Sequence, residues 1–370
     1  MRHYLPMNIR AHAIAIAVFV IVSLSLLMLY SEIYPKHAFD TSSVFFRQLV
    51  WAVLGWIVFI IFSRIPFRGL LAVIYPFYVV IIVLLSFVLV AGAARLGAQR
   101  WIKIWWFNFQ PSEFAKIAII LVLSHYYSRK AVNQIRLNIG SLSFLRGIVY
   151  PFLIILVPFG LIVKQPDLGT ALLLMFIFLG MAYYSGVKMR YILLILVVGS
   201  ALSPFLWHCL RDYQKDRILV FLNPNSDPLG AGYTIIQSKI AIGSGRIFGK
   251  GWLSGTQGQL NFLPESHTDF IFGIFSEETG FLGSLFLLGL YGVLIFESFR
   301  IAQKANDNFG KLFAFGIGLM LAIQVYINIS MTLGISPVVG VPLPLMSYGG
   351  SNMLVNFLCL GIVQNINARG

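Results

Sequence analysis

The chain has 370 residues, of which 58% are hydrophobic and only 11% charged, a balance too apolar for a soluble globular protein. Its formal net charge is +14, but the 27 Lys and Arg are scattered through many short polar stretches, with no basic block interleaved with aromatics, which argues against nucleic acid as a partner. Anionic lipid headgroups suit that distribution, and the two cysteines, Cys209 just after an apolar run and Cys359 inside one, argue against a disulfide framework.

Repeated apolar runs near twenty residues have the length at which a helix crosses a bilayer. The first, Ala11 to Tyr30, exceeds a signal-peptide core and has no A-x-A site after it, so it reads as a retained span. Ten spans are predicted, at 11–30, 46–63, 69–92, 112–127, 145–164, 168–186, 190–208, 269–297, 311–333 and 345–366. The expectation is an all-α integral membrane protein, one polytopic domain over 1–370, without internal repeat or low-complexity tract. When alternate short loops are compared, one set carries fourteen Lys and Arg and the other six, so the positive-inside rule puts both termini in the cytoplasm. The segment 209–268, between the seventh and eighth spans, is then external. Within it Ile235 to Ile242 reads as a short amphipathic helix, and a structureless loop of this length is usually functional.

The thirteen acidic residues are few enough to read singly. Glu113 and Lys116 follow Pro111, a helix-start signal, and at three residues' separation they share one face and can pair. A structural ion pair and a functional one are equally good accounts. Asp167, in Gln165-Pro166-Asp167-Leu168-Gly169, suits an N-cap, with Lys116 as a candidate counter-charge. The glycine-rich run Gly243 to Gly251 has a phosphate-binding look but neither a G-x-G-x-x-G spacing nor a Walker A ending. His267 and Asp269 stand where the long polar segment meets an apolar run. A carboxylate there is desolvated enough to have altered acidity yet reachable by a water-soluble headgroup. Capping competes with that reading, but Ser266 or Thr268 would cap without importing a charge. His267-x-Asp269 is also a conceivable metal pair, though two ligands without a third are a weak metal signal. Glu277 and Glu278 lie two turns further on, among Gly280, Gly283 and Gly289, and a buried hydrogen bond to a neighbour suits them best. Glu113, Lys116, Asp167 and Asp269 all lie toward the external side under the charge-derived topology.

Five stretches together carry a family resemblance: Gly97-Ala98-Gln99-Arg100-Trp101, Gln110 to Lys116, Gln165 to Thr170, the run from Asp227 to Asp269, and Gly340 to Ser351. In this order they resemble the SEDS family (shape, elongation, division and sporulation), integral-membrane glycosyltransferases of the bacterial cell wall, along residues 15–366. Ile235 to Gly243 and Lys250 to Gln257 are similar to the elongation-type branch rather than the division-type branch. The resemblance implies ten transmembrane helices and polymerisation of lipid II into glycan strands at the outer face of the inner (cytoplasmic) membrane. It also implies a class B penicillin-binding protein as partner, in the company of other elongation-complex membrane proteins. The family's essential aspartate matches Asp269, and its other functional polar positions match Glu113, Lys116 and Asp167.

An alcohol attacking an acetal carbon needs a base on its proton and compensation for the departing pyrophosphate. Asp269 is the expected base, and Arg100, Lys103, Arg211, Arg217, Lys239 and Lys250 form the pool for pyrophosphate contacts. A divalent cation, Mg or Mn, is a conceivable assistant, with no metal ligand assigned. His267 is expected to orient the loop or the substrate. Two other classes compete: a lipid II flippase, which should concentrate polar groups at the midplane, and a scaffold, for which Asp269 would be dispensable.

Overall fold

The computed structural model describes residues 9–33, 43–95, 98–104, 107–129, 144–227, 230–260 and 262–369. Gly97, Pro228 and Leu229 of the sequence motifs, and the loop cations Arg2, Lys36, Lys130 and Arg136, lie outside them. In chain order the long helices are α1 (Ile9–Ile33), α2 (Val44–Arg64), α3 (Ile74–Ala91), α4 (Pro111–Arg129), α5 (Tyr150–Lys164), α6 (Leu168–Tyr184) and α7 (Met189–Cys209). After the connecting segment come α11 (Ile271–Lys304), α12 (Asn308–Thr332) and α13 (Gly350–Arg369). Local chemistry sets several boundaries. Ser43 accepts from Phe46 N to cap α2, and Pro66 follows the Ile65 that closes it. Asp307 caps α12 through Gly310 N at 2.6 Å. Two spans start later than their apolar patterns suggest. The third opens with a 3₁₀ turn, Phe67–Ala72, and becomes α-helical only at Ile74; the last begins at Gly350, because the Pro342-Leu343-Pro344 stretch cannot hold a helix.

Among the described residues six helices are long and apolar enough to cross a membrane: α1, α2, α3, α5 with the π-helical turn before it, α11 and α12. α6 is apolar but shorter, as is the apolar stretch Met189–Phe205 of α7. α4 and α13 fall outside that group because they are inner helices, carrying Glu113, Lys116 and Ser124 or Asn352, Asn356 and Asn365 in full burial. The outer helices do the opposite. Val83 and Val90 of α3 are 60% and 86% exposed and Val197 of α7 64%, which suits contact with acyl chains and not with water. Inside, amide side chains tie helix ends together: Asn365 Nδ2 donates to Ser63 O and Ile65 O at the end of α2, and Tyr291 Oη donates to Pro344 O at 2.7 Å.

A small antiparallel sheet that the hydropathy pattern did not reveal joins α3 to α4. Its strands β1 (Ala93–Arg95), β2 (Ala98–Ile104) and β3 (Phe107–Phe109) lie in the order β1-β2-β3, with Ile102 opposite Phe109. The segment 209–268 is also far from structureless. It holds α8 (Asp212–Leu222), α9 (Ala231–Ser244), which contains the expected amphipathic stretch, and the short α10 (Thr256–Gln259). The eighth span, expected at 269–297, is longer and is broken at Gly280, whose φ of 69° and ψ of −164° are open only to glycine.

Candidate active site

Asp269 closes a tight turn. Thr268 N and Phe270 N both donate to Glu265 O, at 3.1 and 3.3 Å, and α11 begins two residues later with Phe270 as its N-cap and no side-chain cap bond. The carboxylate of Asp269 therefore has no capping duty, which removes the bland account of why an acid stands there. Its main chain is pinned from two sides. Asn328 of α12 donates to Asp269 O and to Val341 O, each at 2.9 Å, and Ser347 Oγ donates to Thr268 O while Tyr348 N donates to His267 O. The side chain faces Gly340, where a Cβ would stand 3.4 Å from Asp269 Oδ2. With φ of +72°, Gly340 lets the 337–342 backbone turn in beside the acid.

The surroundings set the acidity. Asp269 keeps a part of its surface open, but desolvation pushes its pKa up to about 6; Glu265 adds to the rise, while Arg217 and Arg100 pull against it. Arg217, from α8, is lowered by burial and by the like charge of Arg100, and as a guanidinium it remains cationic. Its Nη1 donates to Val338 O at 3.1 Å, beside the Gly340 turn. Arg100, from β2, donates through Nε to Gln165 O at 3.3 Å and through Nη2 to Pro166 O, and its Nη1 stands 3.8 Å from Asp167 Oδ1. Tyr213 Oη donates to the same Pro166 carbonyl at 2.9 Å. Connections between different helices thus deliver two carboxylates and two guanidinium groups to one place.

Asp167 does cap α6, accepting from Thr170 N at 3.3 Å, and is almost fully buried. Its counter-charge is Arg100, which corrects the expectation of Lys116. Lys116 Nζ is instead 2.7 Å from Glu113 Oε2, with both side chains 2% exposed. One helix turn brings that pair together before any neighbouring helix can compete. His267 turns away from metal ligation with Asp269: its Nδ1 is 3.9 Å from Glu32 Oε1 and its ring lies 5.9 Å from Tyr348. No group of three His, Cys, Asp or Glu side chains among the described residues is arranged to hold a metal ion. Lys239 is exposed on α9 and lies across Gly334. Lys250 leaves the pool of free cations because Glu277 Oε1 holds it at 2.5 Å. Glu277 and Glu278 are indeed bonded to neighbours, the latter accepting from Ser31 Oγ. Asn328 went unremarked in the sequence, although a polar amide inside an apolar span is a signal in its own right.

These features define a polytopic helical membrane protein with an acid and guanidinium site built from its interhelical connections. The family of FtsW, RodA and SpoVE cell cycle proteins matches residues 11–370, and the chain belongs to it; this is the SEDS family that the motifs resemble. It is 44% identical over 324 residues to the peptidoglycan glycosyltransferase MrdB of Escherichia coli K12, covering 87% of this chain and 85% of that one. MrdB of Helicobacter pylori is 39% identical over 334 residues, covering 89% and 85%. Among solved structures, a chain from work on how a peptidoglycan synthase complex coordinates polymerisation and crosslinking superposes with a TM-score of 0.79 at 31% identity, covering 96% of this chain and 97% of that one. The rod shape determining protein RodA of Thermus thermophilus gives 0.70 at 28% identity, covering 96% of each chain.

Proposed function

We propose that the chain is a peptidoglycan glycosyltransferase of the elongation type, polymerising lipid II at the outer face of the bacterial inner membrane. The observation that carries this reading is Asp269: a desolvated carboxylate without a capping role, under the influence of two guanidinium groups. In the reaction, the 4-oxygen of one sugar forms a bond to the anomeric carbon of another, and the bond from that carbon to undecaprenyl pyrophosphate breaks. Asp269 takes the hydroxyl proton as attack proceeds, which a base with a pKa near 6 does while ionised at neutral pH. Arg100 and Arg217 offset the charge that develops on the pyrophosphate. Asp167 holds Arg100 in place, and the buried Glu113–Lys116 pair stiffens the helix end behind the site. Lys239 and His267 are left to orient substrate at its edge.

The chain crosses the membrane ten times, with both termini cytoplasmic and the 209–268 segment external, as one polytopic unit. Its partners are a class B penicillin-binding protein, for which the structural likeness to a synthase-complex chain is the support, and other elongation-complex membrane proteins. A broken helix is a trait shared with transporters, but here the ends at Gly280 are bonded by the chain's own loop rather than held open for cargo. The test is to supply lipid II to the purified chain with its partner, in solution and in liposomes. Glycan strands are expected. Transfer of lipid II across the bilayer without glycan would overturn the proposal in favour of a flippase.

A further inference from the structure

The break in α11 is mended by a loop from elsewhere. Glu277 O and Glu278 O, at the end of the first half-helix, accept from Lys250 N and Gly251 N, each at 3.0 Å. Phe281 N and Leu282 N, at the start of the second half, donate to Arg246 O and Ile247 O at 2.8 and 3.1 Å. The glycine-rich run that resembled a phosphate loop therefore supplies the partners that a broken helix loses. Side chains add a second layer. The Glu277 carboxylate, with no solvent exposure, accepts from Lys250 Nζ at 2.5 Å, Thr256 N at 3.0 Å, Thr256 Oγ1 at 2.8 Å and Gln257 N at 3.1 Å. The same segment is tied to α1, through Trp252 Nε1 to Leu27 O at 3.2 Å and Gln259 Nε2 to Ser31 O at 3.4 Å.

The first half of α11, from Ile271 to Gly280, is a lever of about 15 Å at 1.5 Å per residue. Asp269 sits just before its N-terminal end, and Glu277 is at the other. We propose that Lys250 and Glu277 are positioning residues for the reaction, clamping this lever between α1 and the 245–257 segment so that Asp269 is held at its reacting distance. The main-chain bonds from Asn328 and Tyr348 fix the turn locally; the clamp fixes the tilt of the helix that leaves it. A carboxylate with four donors and no exposure is far more than ion pairing to a partly exposed lysine requires, and a fixed lever is what so many donors achieve. This rests on the proposed polymerase reading for its rate measurement, but not for its structural one.

The experiment compares wild type with Lys250→Met, Lys250→Arg and Glu277→Gln, each purified with the partner. Lipid II polymerisation is followed across pH, together with amide hydrogen exchange. Loss of the clamp is expected to lower kcat about 10- to 100-fold while KM stays within about twofold, the signature of misplacement rather than lost binding. Lys250→Arg should recover most of the rate, and the acid limb of the pH profile should shift in Lys250→Met. Exchange across 271–279 should quicken in Lys250→Met with the other helices unchanged. An unchanged kcat in folded Lys250→Met, or a loss that follows the unfolded fraction with an unmoved acid limb, would overturn the proposal. If wild type itself makes no glycan, the polymerase reading fails, and exchange in 271–279 alone decides the clamp: unaltered protection overturns it, faster exchange supports it.

Discussion

Asp269 and Glu277 stand near opposite ends of one short helix, and the protein treats their carboxylates in opposite ways. Glu277 has no exposure and four donors, three of them from a single turn, Thr256 and Gln257. Among the described residues no hydrogen bond or ion pair reaches the carboxylate of Asp269, even though its main chain is pinned on both sides. A carboxylate whose oxygens are all engaged is fixed in place. An acid left unsaturated in a desolvated turn is costly to the fold, and its proton affinity is available for chemistry. Asp167 lies between the extremes, with a capping bond, a weak bond from Ser112 Oγ at 3.4 Å and one guanidinium at 3.8 Å. In this contrast coordination, more than depth of burial, separates the proposed base from the structural carboxylates.

The largest effect should come from the unsaturated acid. Asp269→Asn keeps the shape and removes the base, and polymerisation should fall by about 10²- to 10⁴-fold. The same variant should melt no lower than wild type at neutral pH. The sign follows from linkage: the folded pKa of Asp269 is raised from 3.8 to about 6, so its ionised form disfavours the fold as pH climbs through that window, and Asn never ionises. A lowered melting temperature would place Asp269 with the structural acids. Next in size is the buried pair. Glu113→Gln or Lys116→Met alone strands a charge and should cost about 3–5 kcal/mol in thermal or denaturant stability, whereas the double substitution should cost less than either single one. Asp167→Ala should cost about 1 kcal/mol from its lost cap, with a modest fall in rate as Arg100 loses its anchor. The smallest effects are shifts of the acid limb, read apart from any fall in rate that a lost pyrophosphate contact brings. Arg217→Met removes a cation that favours ionised Asp269, so the acid limb of the rate profile should move to higher pH; Glu265→Gln removes a like charge and should move it lower. Equal shifts of one sign would refute the assigned surroundings.

Much of this was legible in the chain. The positions of the long helices follow from apolar run length, because a bilayer leaves the chain no other way to satisfy its backbone. Glu113 and Lys116 are paired at a spacing that a helix dictates, and Asp167 caps where an acid after proline should. What remained hidden depends on contacts distant in sequence. Arg100 was one of six basic residues with equal claims until a three-stranded sheet carried it to the turn at 165–167. The partner of Asp167 was misread for the same reason, since spacing within a helix says nothing of what the next connection brings. Gly280 carries no sequence sign of a break because an apolar pattern continues across it, yet a helix break needs only one glycine and a loop able to bond its ends. The glycine-rich run Gly243 to Gly251 failed as a phosphate loop, and its role emerges only beside Glu277.

The most direct measurement is the pH dependence of kcat for lipid II polymerisation by the purified chain with the proposed penicillin-binding partner, for wild type and Asp269→Asn. The expected result is a wild-type rate that rises with pH through a single ionisation near 6, and a residual Asn rate that is flat across the same range. An Asp269→Asn enzyme that retains the wild-type rate, or keeps the same acid limb, would contradict the assignment of Asp269 as the base.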